Sequence, residues 1–129
     1  MNKTNLKAIP TFRIFDYQKA IEFYIEELGF TIDWEHRFGP EEPVYMQISK
    51  NGLVLHLSEN SRFKLEVIIF VETEGLEEFY QELTQRTSKI KIPKPEKTDW
   101  QSLQMEIKDP FGNLLRFNES LDNLKQSST

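Results

Sequence analysis

The sequence predicts an α+β protein built from two βαβββ modules, which form a curved mixed sheet around a cleft. A motif repeats: Glu22-Phe23-Tyr24 followed by Leu28, then Glu78-Phe79-Tyr80 followed by Leu83. Each copy sits in an apolar stripe of three- and four-residue steps, the spacing of an amphipathic helix. One β-like run precedes each stripe and three follow it, and a pattern repeated at this spacing organises the whole chain.

The first strand is expected over Ile9 to Phe15, before the stripe Ala20, Phe23, Tyr24 and Leu28. Asp16 stands where an N-cap belongs, and Gly29 where a helix stops. Phe30 to Arg37, Val44 to Ser49 and Leu53 to Ser58 are the next strands, the last two joined by a turn at Lys50-Asn51-Gly52. The second module repeats this. Leu65 to Val71 is rich in Val and Ile, Thr73 is placed to cap the stripe Leu76, Phe79, Tyr80 and Leu83, and strands follow over Lys89 to Ile92, Gln101 to Lys108 and Leu114 to Asn118. The final hairpin turns at Asp109-Pro110-Phe111-Gly112-Asn113. The Lys- and Pro-rich stretch from Thr87 to Trp100 reads as a connection. Residues 1–129 are thus expected to form one domain, with modules over 8–58 and 64–119 and a polar tail over 120–129.

The 129 residues are 38% hydrophobic and 29% charged, an ordinary globular balance. With no cysteine in the chain, disulfides, thiolate metal sites and Cys nucleophiles are excluded. The net charge of -5 argues against nucleic acid as a partner, and the basic cluster Lys89, Lys91, Lys94 and Lys97 is interrupted by Pro93 and Pro95. No apolar run reaches membrane-helix length, and the N-terminal stretch lacks a signal-peptide core, so the expectation is a cytoplasmic protein. No nucleophile triad or glycine-rich phosphate loop is visible.

Two motifs bring a family into view. Ala20-Ile21-Glu22-Phe23-Tyr24 through Leu28-Gly29-Phe30, and Asp109-Pro110-Phe111-Gly112-Asn113-Leu114, resemble the signatures "A-x-x-FY-x-x-x-LGF" and "DP-x-GN" of the glyoxalase / bleomycin resistance / dioxygenase superfamily, the vicinal oxygen chelate fold. The resemblance spans about residues 8–119. It implies a half-open eight-stranded sheet and a dimer whose modules are often swapped between chains. In enzymes of that family it also implies a divalent metal held by the first and fourth strands of each module.

Strand alternation tests that metal site. Pro10, Phe12 and Ile14 should face the helix, leaving Ile9, Thr11 and Arg13 for the cavity; in the fifth strand Glu66, Ile68 and Phe70 are left in the same way. Matching Gly52 to Gly112 aligns His56 with Arg116. The four ligand positions then read Ile9, His56, Glu66 and Arg116. An alkyl chain and a guanidinium cannot ligate, so neither metal nor cofactor is expected. Arg116 is free to pair with Glu66, and His56 to bond with either.

Tyr45, Gln47, Gln104 and Glu106 should also face inward, with Phe38, Phe70 and Trp100 near the mouth. Trp100 lies where metal-free bleomycin-binding relatives tend to carry a Trp, Trp34 is equally a dimer contact or a ligand wall, and His36 reads as an ordinary strand residue. Such a lining suits a planar, polar or cationic small molecule. The leading reading is therefore a homodimeric small-molecule binder of the bleomycin-resistance type, an antibiotic-resistance function, with Arg13 among the binding residues. The alternatives are a metal-dependent lyase, transferase or dioxygenase of the same superfamily, and an interaction protein with a vestigial cleft.

Overall fold

The computed structural model describes residues 4–37, 39–62, 65–86 and 89–121. Its elements run β1 (Thr11–Arg13), α1 (Tyr17–Ala20), a π-helical segment (Ile21–Glu27), β2 (Thr31–His36), β3 (Tyr45–Lys50), β4 (Leu53–Ser58), β5 (Ile68–Glu72), α2 (Leu76–Arg86), β6 (Glu96–Lys97), β7 (Ser102–Lys108) and β8 (Leu114–Ser120). The β-α-β-β-β order occurs twice. The strands form two four-stranded sheets, β1-β4-β3-β2 and β5-β8-β7-β6, instead of one eight-stranded sheet. In each, the first strand lies parallel to the fourth and the remaining pairs are antiparallel. No helix among the described residues is long and apolar enough to cross a membrane.

One face of each sheet makes the core. Phe12, Met46, Ile48, Leu55 and Leu57 from the first sheet, and Met105, Ile107, Leu115 and Phe117 from the second, pack with Phe23, Tyr24, Leu28, Leu76 and Leu83 of the helical segments. The intervening residues of the same strands point the other way, as the two-residue period requires.

The two sequence signatures meet in space. Tyr24 of the first donates its hydroxyl to Asp109 Oδ2 of the second at 2.7 Å, across 85 positions. Asp109 Oδ1 accepts the amides of Phe111 and Asn113, both at 2.8 Å, which closes the turn. Asn113 Nδ2 donates to Asp109 Oδ2 and also to the Arg13 carbonyl on the other module, at 2.9 and 3.1 Å. Burial pushes the Asp109 carboxyl upward against these bonds, and it drives the buried Tyr24 phenol well above its ordinary range. These signature residues are an inter-module staple.

Several expected elements come out differently. The first helix starts as an α turn capped by Asp16, which accepts the Lys19 amide at 3.0 Å. It then widens, and the Leu28 amide bonds to the Phe23 carbonyl five residues back. The wider turn alters the facing of the stripe, and Glu27, which lies outside that stripe, is buried. Thr73 does not cap α2. Its hydroxyl donates to the Val71 carbonyl, while Glu119 from β8 accepts the amides of Gly75 and Leu76, each at 3.0 Å. The sixth strand lies at Glu96–Lys97 rather than Lys89 to Ile92, because Pro93 and Pro95 cannot donate to a ladder and pairing starts only beyond them. Ile92 is buried in the core instead. β8 runs on to Ser120, two residues past the expected end. The rest of the expected tail, 122–129, lies outside the described residues.

Candidate functional site

The faces turned away from the core carry the candidate site residues. On the first sheet, register brings Thr11 beside His56, His56 beside Gln47 and Gln47 beside Trp34. On the second, Phe70 lies beside Arg116 and Arg116 beside Glu106. His56 and Arg116 therefore occupy equivalent places, as the glycine alignment expected.

A directional hydrogen-bond chain crosses the first face. Asp33 accepts from the Ser49 hydroxyl and from Gln47 Nε2, each at 3.0 Å. A carboxylate only accepts, so Gln47 must offer it the amide NH2 and turn Oε1 to His56. His56 Nε2 then carries the proton on that 3.0 Å contact, and Nδ1 accepts the Tyr45 hydroxyl at 2.8 Å. Thr11 Oγ1 lies 3.3 Å from the same hydroxyl. Burial lowers the His56 pKa, which favours this neutral tautomer. Above the chain, the Trp34 and Tyr45 rings lie nearly parallel with centroids 6.0 Å apart, and His56 meets Trp34 edge-on at 5.3 Å. A cleft of about 460 Å³ opens beside this platform, lined by Trp34, His36, Tyr45, Ser58, Asn60 and Arg62. His36, read as an ordinary strand residue, therefore belongs to the cleft; its two-residue offset from Trp34 was the available signal. Nothing local marked Asn60 or Arg62.

The second face is built on charge. Arg116 Nε donates to Glu106 Oε2 at 2.5 Å, so its partner is Glu106 and not Glu66. Gln104 accepts from Asn118 Nδ2 at 3.0 Å. A cleft of about 330 Å³ lies along Gln104 and Glu106 and is also lined by Lys94, Lys97 and Thr98. Phe70 stands 56% exposed on the edge strand.

Two of the remaining expected residues, Glu66 and Trp100, lie off these faces. Glu66 precedes β5 in a left-handed conformation with φ 63°, and its side chain leans over Gly112 instead of entering the sheet face. The chain joins the sheet only after the Val67 amide has bonded to Asn113 Oδ1. Trp100 is 63% exposed on the turn before β7 and lines neither cleft. Arg13 lies on β1 with its Nε buried and without a hydrogen-bond partner among the described residues. Phe38 lies outside the described residues.

Residues 3–123 match the family model described as "Glyoxalase superfamily protein", and the chain belongs to that superfamily. Solved structures share the fold. A bleomycin-binding protein complexed with bleomycin is 24% identical with a TM-score of 0.69, covering 90% of this chain and 99% of its own. A bleomycin resistance determinant encoded on the transposon Tn5 is 24% identical with a TM-score of 0.70, covering 90% and 98%. TnmS3, an antibiotic-binding protein from Streptomyces sp. CB03234, is 20% identical with a TM-score of 0.64, covering 91% and 98%. No curated protein matches the sequence.

Enzymes of the vicinal oxygen chelate fold hold a divalent metal on these strands, and the donor set here does not fit one. Both His56 nitrogens are engaged, Arg116 puts a fixed cation at the equivalent position, and Glu66 is off the sheet face. Among the described residues no three His, Cys, Asp or Glu side chains gather closely enough to hold an ion.

Proposed function

We propose that the protein is a small-molecule binder that sequesters or senses its ligand on the open sheet faces without a metal. The observation that carries this reading is the platform on the first sheet. Trp34, Tyr45, His56 and Gln47 are fixed by one another and by Asp33, beside an open cleft, which is the preorganised aromatic and polar surface a planar ligand needs. Arg13, on the edge strand of the same sheet, adds a guanidinium whose Nε has no hydrogen-bond partner among the described residues. Likeness to bleomycin- and antibiotic-binding proteins supports a glycopeptide or aromatic natural product as the ligand class. Of the expected residues, Arg13, Tyr45, Gln47, His56, Phe70, Gln104, Glu106 and Arg116 stay in the proposed site.

The same reading includes a homodimer. β1 and β5 are edge strands, and the second face leaves Ile68 and Phe70 uncovered, so a second copy would shelter apolar surface and close the two open faces into deeper clefts.

A thermal-shift screen over bleomycin, other glycopeptides and aromatic metabolites tests the proposal. A ligand of the site raises the melting temperature through linkage. Replacing Trp34 by Ala should abolish that shift while leaving the apo protein folded. Metal analysis of untagged protein is the second arm: stoichiometric zinc, nickel, manganese or iron that is lost in His56→Ala would overturn the metal-free reading.

A further inference from the structure

A cavity of about 450 Å³ lies on the opposite, core-facing side of the sheets, where the hairpin of β3 and β4 meets the start of α2. Its wall is aromatic. Phe79 and Phe117 pack edge to face with centroids 5.0 Å apart, and Phe30 completes the surface. Its mouth is acidic, with Glu72, Glu74 and Glu78 contributed by the end of β5, the following loop and α2. None of these three carboxylates has a hydrogen bond or ion pair to another described residue. The volume falls in the range of small-molecule sites, and none of this lining belongs to the sheet-face site.

The cavity already holds one ammonium group. The side chain of Lys50 is only 11% exposed; its Nζ lies 5.8 Å from the Phe79 ring centroid and 2.5 Å from Glu82 Oε2. Four carboxylates line the cavity against that single cation, which leaves the mouth negative after Glu82 is neutralised. Aromatic faces and carboxylates both favour cations, and the ring wall has room for an apolar body.

We propose that this inter-module cavity is a second binding site, which takes an organic ammonium ion carrying an aryl or alkyl body. The body lies against the partly exposed Phe79, with the buried Phe30 and Phe117 behind it, and the charged head sits among Glu72, Glu74 and Glu78. Lys50 stays in place as the rear wall, held by Glu82.

Titration of the isotope-labelled full chain with phenylbutylammonium, followed by amide chemical shifts, tests this, with phenylbutanol and phenylbutyrate as neutral and anionic counterparts. Saturable shifts are expected in Lys50 to Leu53 and Val71 to Phe79, with phenylbutyrate inert. The double variant Glu74→Gln/Glu78→Gln, at two exposed positions, should weaken the ammonium about tenfold while leaving phenylbutanol unchanged. Added salt should weaken only the ammonium. The inference is overturned if shifts appear only around Tyr45, Gln47 and His56, if phenylbutanol binds as well as the amine, or if the double variant binds the amine undiminished. Failure here would leave the sheet-face proposal intact, because that screen reads different residues.

Discussion

His56 illustrates how one side chain's neighbours decide its chemistry. Its two nitrogens are spoken for by Tyr45 and Gln47, and burial favours the uncharged ring. A lowered folded-state pKa means that the unfolded chain binds a proton first. The resulting stability is fully present above the ordinary histidine value of about 6.5 and is lost as pH falls through the lower folded value. We expect the His56 ring resonances to titrate below 6.5, with the Nε2-protonated tautomer at neutral pH. A titration at or above 6.5 would refute the closed chain. Tyr24 offers a second test. Its hydroxyl is one of the donors that satisfy a buried Asp109. Tyr24→Phe should destabilise the fold by about 1–3 kcal/mol, read by denaturant or thermal unfolding, because the carboxylate loses a partner that water cannot easily replace.

At the level of elements, α2 depends on a group supplied from β8. Glu119 is buried and accepts the first free amides of the helix, so Glu119→Ala should cost about 1–2 kcal/mol and fray the N-terminal turn in hydrogen exchange. That cap was not legible in the sequence, since nothing local ties position 119 to 75. What was legible is the periodic part. The repeated helical stripes, the β-branched runs and the glycine hairpins at Gly52 and Gly112 gave the β-α-β-β-β order twice, and alternation along β4 and β8 set His56 and Arg116 on the open faces. Long-range bonds decided the rest. The Asn113 side chain takes the Val67 amide, delays β5 and sends Glu66 out of the sheet; Arg116 then pairs with Glu106, its cross-strand neighbour. The widened turn at Leu28 leaves no trace in a three- and four-residue pattern that fits an α-helix equally well.

Across the whole molecule, the two sheets share no strand pairing among the described residues, yet side-chain contacts join the two modules. Tyr24 reaches Asp109, Asn113 reaches Arg13, Lys50 reaches Glu82, and Phe15 packs edge-on against Phe111 at 4.8 Å. Buried polar staples of this kind couple the halves, because either half unfolding alone would strand the other's partners. The chain's two tryptophans make this measurable, with Trp34 on the first sheet and Trp100 beside the second. Single-tryptophan variants, Trp34→Phe and Trp100→Phe, should each show one fluorescence transition whose midpoint, measured against that variant's own circular dichroism, coincides with global unfolding. A tryptophan signal that melts ahead of the backbone signal would show that the halves unfold separately. Protein concentration adds the final constraint. If a second copy covers Ile68 and Phe70, melting is coupled to dissociation and the midpoint rises with concentration by mass action. A midpoint that stays constant over a hundredfold dilution, about 2.7 kcal/mol of linkage for a bound partner, would mean that the edge strands stand alone and that the clefts are used by a single chain.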